Sequence, residues 1–99
     1  MEAIIGNQRF TANGNLTPST TNLGFRVYSV HGVSTLSTSN LSLYNGLSSS
    51  DDLYIRCNSD SQGVIDYEWT EGKYFPNNVY LETNAAITFA LVGYNKATA

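Results

Sequence analysis

The chain has 99 residues, a formal net charge of −3 and one cysteine, Cys57. That length allows one domain and not two, and a lone cysteine excludes an intrachain disulfide. Lys and Arg are scattered over five positions (Arg9, Arg26, Arg56, Lys73, Lys96), which excludes the basic stripe that neutralises nucleic-acid phosphates, and no run approaches the roughly 20 apolar residues of a membrane-spanning helix.

Residues 1–6, Met1-Glu2-Ala3-Ile4-Ile5-Gly6, lack the basic start and long apolar stretch of a secretion signal. The expectation is synthesis in a cytoplasm, the chain then staying there or joining an assembly. Ile4, Ile5 and Phe10 suit a short strand around residues 8–12. Asn13-Gly14-Asn15 is a turn signal. Residues 16–22 are a Thr/Ser/Pro stretch with little to bury. Residues 1–23 therefore read as an edge strand plus a loop, or as an arm that orders on a neighbour, ahead of a β-sandwich domain over residues 24–99.

Residues 24–33 carry Phe25, Val27, Tyr28, Val30 and Val33 on both parities, a strand covered in part on both faces. Leu41-Ser42-Leu43-Tyr44 alternates and stops at Asn45-Gly46. Residues 47–52 form a Ser-rich, acid-tipped loop. In residues 53–57, Leu53, Ile55 and Cys57 are expected to face inward and Tyr54 and Arg56 outward. After a polar turn at residues 58–63, Ile65, Tyr67 and Trp69 form an inward parity. Val64, Asp66 and Glu68 form the wet one.

Turns are expected at Thr70-Glu71-Gly72, Pro76-Asn77-Asn78 and Thr83-Asn84-Ala85. Between them lie strands at residues 73–75 and 79–82, and a last alternating strand from Ile87 to Tyr94. Seven or eight short strands at this spacing, with no sustained helical period, predict an all-β fold. The expected architecture is one small antiparallel β-sandwich, jelly-roll-like.

Charged residues are 13% of the chain, about half the usual share. Ser, Thr and Asn make up 32 of the 99 residues. Short polar side chains favour turns and exposed strand faces. Aromatics are 12%, seven of them Tyr, more than a thin core hides easily. Tyr28, Tyr44, Tyr54, Trp69, Tyr74, Phe75 and Tyr80 are thus the candidate contact surface, for a protein partner or for sugar rings.

Few residues suggest chemistry. His31 is the single histidine and sits inside a strand without a nucleophile motif, so a packed or surface histidine is the simpler reading. Cys57 reads as a buried thiol. Asp66 and Glu68 share a strand face at about 7 Å. Paired carboxylates of this kind run glycoside hydrolysis, but a solvated face is the simpler reading. Asn58, Asp60, Gln62 and Gly63 echo the start of a calcium loop, yet the twelfth position is Trp69 and not an acid. Asp51-Asp52 reads as a solvated loop tip. The glycosylation triplets Asn15-Leu16-Thr17 and Asn40-Leu41-Ser42 are expected by chance in so Ser/Thr/Asn-rich a chain. No cofactor is expected.

The pattern Val27-Tyr28-Ser29-Val30, Leu41-Ser42-Leu43-Tyr44-Asn45-Gly46, Gly72-Lys73-Tyr74-Phe75-Pro76-Asn77-Asn78-Val79-Tyr80-Leu81 and then residues 87–94 resembles small virion proteins of tailed bacteriophages. The resemblance spans residues 24–94. It implies a short β-sandwich that decorates or cements a capsid, often as a trimer, with other copies and the major capsid protein as partners. It carries over no catalytic residue. The alternative reading is a small carbohydrate-binding module. A hydrolase using Asp66 and Glu68 is a third.

Overall fold

A computed structural model describes residues 6–17, 24–35, 39–83 and 87–96. Within them the chain is one long antiparallel hairpin wound on itself. β1 (Gly6–Phe10) pairs with β8 (Ile87–Lys96), and β2 (Gly14–Asn15) with β7 (Val79–Thr83). β3 (Phe25–Ser34) pairs with β6 (Val64–Phe75), and β4 (Asn40–Asn45) with β5 (Asp52–Asn58). Winding adds the pairs β3–β8 and β4–β7. The result is two four-stranded sheets, ordered β1-β8-β3-β6 and β2-β7-β4-β5. This is the eight-stranded jelly-roll order, and the all-β sandwich expected from the sequence is what forms.

The two sheets close on an apolar layer. Phe25, Val27, Val30 and Phe75 from the first sheet meet Leu41, Leu43, Val79 and Leu81 from the second, all fully buried. Alternation dictates this: in β6 Ile65 is buried while Val64, Asp66 and Glu68 are exposed, as the sequence predicts. Tyr67 and Trp69 pack half-buried against the same layer.

Several local expectations change. Residues 6–10 form β1, an edge strand of the first sheet, and residues 14–15 form β2 at the edge of the second, so of the two readings of this segment its described part takes the edge-strand one. The rest of the predicted arm, including Ile4, Ile5 and residues 18–23, lies outside the described residues. The bend there falls at residues 11–13, so Gly14 and Asn15 already pair with Leu81 and Tyr80. Leu16, in a stretch that read as having little to bury, is fully buried and donates its amide to the Val79 carbonyl at 3.1 Å. Nothing in its Thr/Ser/Pro surroundings shows a period that would reveal it.

The predicted turn at Thr70-Glu71-Gly72 does not reverse the chain. β6 runs through it as one strand, with Ser29 facing Glu68 and Val27 facing Lys73, so residues 69–72 bulge opposite Tyr28 alone. Gly72 makes this possible with φ of 75°, a backbone conformation that side chains disfavour, and a Cβ there would collide with Arg26 and Tyr28. Leu53, expected inward, is 46% exposed. The β4–β5 ladder slips: Leu43 faces Ile55 but Tyr44 faces Leu53. Tyr54 is the extra residue, and one extra residue reverses the parity.

The turn at Pro76-Asn77-Asn78 forms as expected, with Asn78 buried at φ of 93°. The turn expected around Asn84 lies outside the described residues.

Many short polar side chains hold the loops together. The Asn15 Nδ2 donates to the carbonyl oxygens of Gly46 and Val79, each at 3.0 Å. Asn45 Oδ1 accepts the Asn77 amide at 2.9 Å, and Asn13 Oδ1 accepts the Thr83 amide at 2.9 Å. Ser34 and Ser39 share a buried hydrogen bond.

Candidate functional site

The β3–β6 ladder sets His31 directly opposite Asp66, both on the outer face of the first sheet. Glu68 lies two residues on along β6 and points the same way. The His31 Nδ1 is 2.9 Å from Asp66 Oδ1, and its Nε2 is 3.5 Å from Glu68 Oε2. The side chains are 41%, 68% and 74% exposed in that order. The imidazole thus stands between two carboxylates on an open strand face.

That geometry limits the chemistry. A nucleophile triad needs one imidazole nitrogen on a hydroxyl or thiol and the other on an acid. Here both nitrogens face carboxylates. Glycoside hydrolysis needs two carboxyls flanking a bound sugar bond. Here the ring of His31 occupies the space between them. An imidazole with two carboxylates can hold an ion pair, or ligate a cation.

The rest of the outer face is apolar at its centre. One cross-strand row runs Arg9, Leu91, His31, Asp66 over β1, β8, β3 and β6. The next runs Phe89, Val33, Val64. Val33 and Val64 are each 42% exposed, and Phe89 and Leu91 are half-buried. Arg9 lies over the Phe89 ring at 5.0 Å. β8 therefore turns its smaller residues, Ala90 and Val92, to the core and its larger ones outward. The sequence shows apolar residues on both parities of β8, but strand order alone tells which parity is outside.

The seven aromatic residues expected at a contact surface are divided among several places. Tyr44 and Tyr80 lie together on the second sheet, ring centroids 6.5 Å apart, and the Tyr44 hydroxyl donates to Glu82 at 3.2 Å. Tyr54 packs on Phe75 with ring centroids 5.1 Å apart, and the Lys73 ammonium lies over the Tyr54 ring at 5.3 Å. Trp69 stacks with Tyr67 against the core. Tyr74 lies under Arg26, and Tyr28 lies beside Gly72. Phe75 is fully buried and presents no surface in the single chain, because β6 regains its inward parity after the bulge.

The other candidates are accounted for locally. Cys57 is buried, and desolvation pushes its thiol up to about 12. Asp60 closes the β5–β6 turn. Its Oδ1 accepts the amides of Gln62 at 2.8 Å and Val64 at 2.9 Å, and the Val64 and Gln62 amides hold the carboxyl below its ordinary range. The calcium-loop echo is thus a hydrogen-bonded turn. Asp51 Oδ2 likewise accepts the amides of Leu47 and Ser48. Asn15 uses its amide within the fold, which leaves it unsuited to glycan attachment. The chain matches no protein-family model, no curated protein and no solved structure.

Proposed function

We propose that the chain is a non-enzymatic structural protein of a bacteriophage virion. In this reading it decorates or cements the capsid through protein–protein contacts, as a homo-oligomer of three copies. The observation that carries the contact role is the apolar strip of Val33, Val64, Phe89 and Leu91 on an outer sheet face. Apolar surface left wet forgoes about 25 cal/mol per Å², which a covering partner recovers. The occupant assigned to this face is the major capsid protein. Arg9, His31, Asp66 and Glu68 border the strip and supply the polar rim of such a contact. On a lattice, many modest contacts of this kind add up to firm retention.

The phage assignment itself rests on the sequence resemblance over residues 24–94. Dispersal of the aromatic rings favours a protein contact over a sugar platform, which needs its rings in one flat strip. The test is the protein content of purified particles of the virus that encodes the chain. The expected result is a fixed ratio of this chain to the shell protein, with light scattering of the isolated chain giving the mass of a trimer. Particles without the chain, and an isolated chain that is strictly monomeric, would overturn the proposal.

A further inference from the structure

We propose that His31, Asp66 and Glu68 form a binding site for a divalent transition metal of borderline softness, with Zn²⁺ as the probe. The inference stands apart from the virion reading and rests on the geometry of the β3–β6 ladder alone. One ligand atom from each residue, a ring nitrogen and two carboxylate oxygens, lies within 4.8 Å of the others. Zinc takes such donors at about 2.0–2.2 Å. The three atoms therefore need only draw together around an ion.

The backbone is already in place for this. The ladder fixes His31 opposite Asp66, and the pleat fixes Glu68 on the same face. What remains is rotation about side-chain torsions, and all three side chains are exposed enough to turn. Metal entry replaces the two present contacts of His31, the one to Asp66 and the one to Glu68.

Donor type selects the ion. Calcium and magnesium favour sites made wholly of oxygen, whereas an imidazole with carboxylates suits zinc, cobalt or nickel. Charge agrees, since two carboxylates face an ion of charge +2. Arg9, the cation of the same cross-strand row, is engaged over Phe89. Three ligands on an open face leave further coordination positions to water. With one ligand fewer than closed four-ligand sites, this site should hold the ion more weakly than they do. Cys57, a stronger zinc ligand by type, is buried away from solvent and does not compete.

The experiment uses the full chain without a histidine tag, in a buffer that does not chelate. Zn²⁺ is titrated by calorimetry and followed by NMR of the imidazole ring, which is unambiguous because His31 is the single histidine. The expected result is one ion per chain, with shifted His31 ring signals, and with broadened ones when Co²⁺ replaces Zn²⁺. His31→Gln, Asp66→Asn and Glu68→Gln should each weaken Zn²⁺ binding by at least about tenfold. All three replace exposed groups, so the amide spectrum should stay that of the folded chain. Ring signals unmoved by millimolar Zn²⁺ would overturn the site. Zn²⁺ binding undiminished in His31→Gln would also overturn it, since the ion would then sit elsewhere.

Discussion

Asn15 and Gly46 are joined by a hydrogen bond, the Asn15 Nδ2 donating to the Gly46 carbonyl oxygen at 3.0 Å across 31 positions of sequence. The same amide reaches the Val79 carbonyl, so one side chain ties β2 to the loop after β4 and to the start of β7. Asn15→Ala removes both donations: the Gly46 carbonyl loses this partner, while the Val79 carbonyl keeps the Leu16 amide. The expected cost is about 1–3 kcal/mol, read as a lower urea midpoint with an unchanged slope.

Leu16 and Leu53 test the two corrections to the inward set. Leu16→Ala empties a fully buried position and should cost about 2–5 kcal/mol. Leu53→Ala trims a side chain that is 46% exposed and should cost about 0.5 kcal/mol or less. Urea denaturation of the two variants side by side gives the order. The reverse order would contradict the register slip between Leu43 and Tyr44.

Cys57 sets an alkaline limit. Its thiol titrates near 9 when unfolded and is pushed up to about 12 by burial. The folded chain therefore binds this proton more tightly, and stability falls as pH rises from 9 toward 12. Cys57→Ala lacks that component, so its deficit relative to the parent should narrow above pH 9. At neutral pH the parent should react with a thiol reagent only as fast as it unfolds.

Asp60 acts at the other end of the scale. Its carboxyl is held below the ordinary range by the amides of Val64 and Gln62. Its contribution is fully present above the ordinary carboxyl range and is lost as pH falls through the folded value. Asp60→Asn keeps an acceptor without the charge. Its stability should depend less on pH below 5 than that of the parent, as measured by thermal melts in a pH series.

Much of this fold is legible in the sequence, for local reasons. The alternation in residues 64–69 gives the inward set of β6, and Pro76-Asn77-Asn78 gives its turn, because strand parity and turn conformation are set by neighbours. The winding is not legible. β1 and β8 pair Gly6 with Tyr94, and no short-range signal carries that distance. Bulges hide for a similar reason: Gly72 reads as a turn until the ladder on either side of it is known. The candidate site shows both cases. Asp66 and Glu68 are readable as neighbours on one face, but His31 joins them only through a pairing between distant strands.

Binding of purified shells separates the contact account from its rivals most directly. Under the proposed role, shells of a virus that carries the gene for this chain, prepared without the chain, are mixed with the parent protein and with Val64→Asp and then pelleted. The parent should pellet to saturation, and Val64→Asp, with a charge set into the apolar strip, should stay in solution. Equal pelleting of both, or of neither, would contradict the proposed contact.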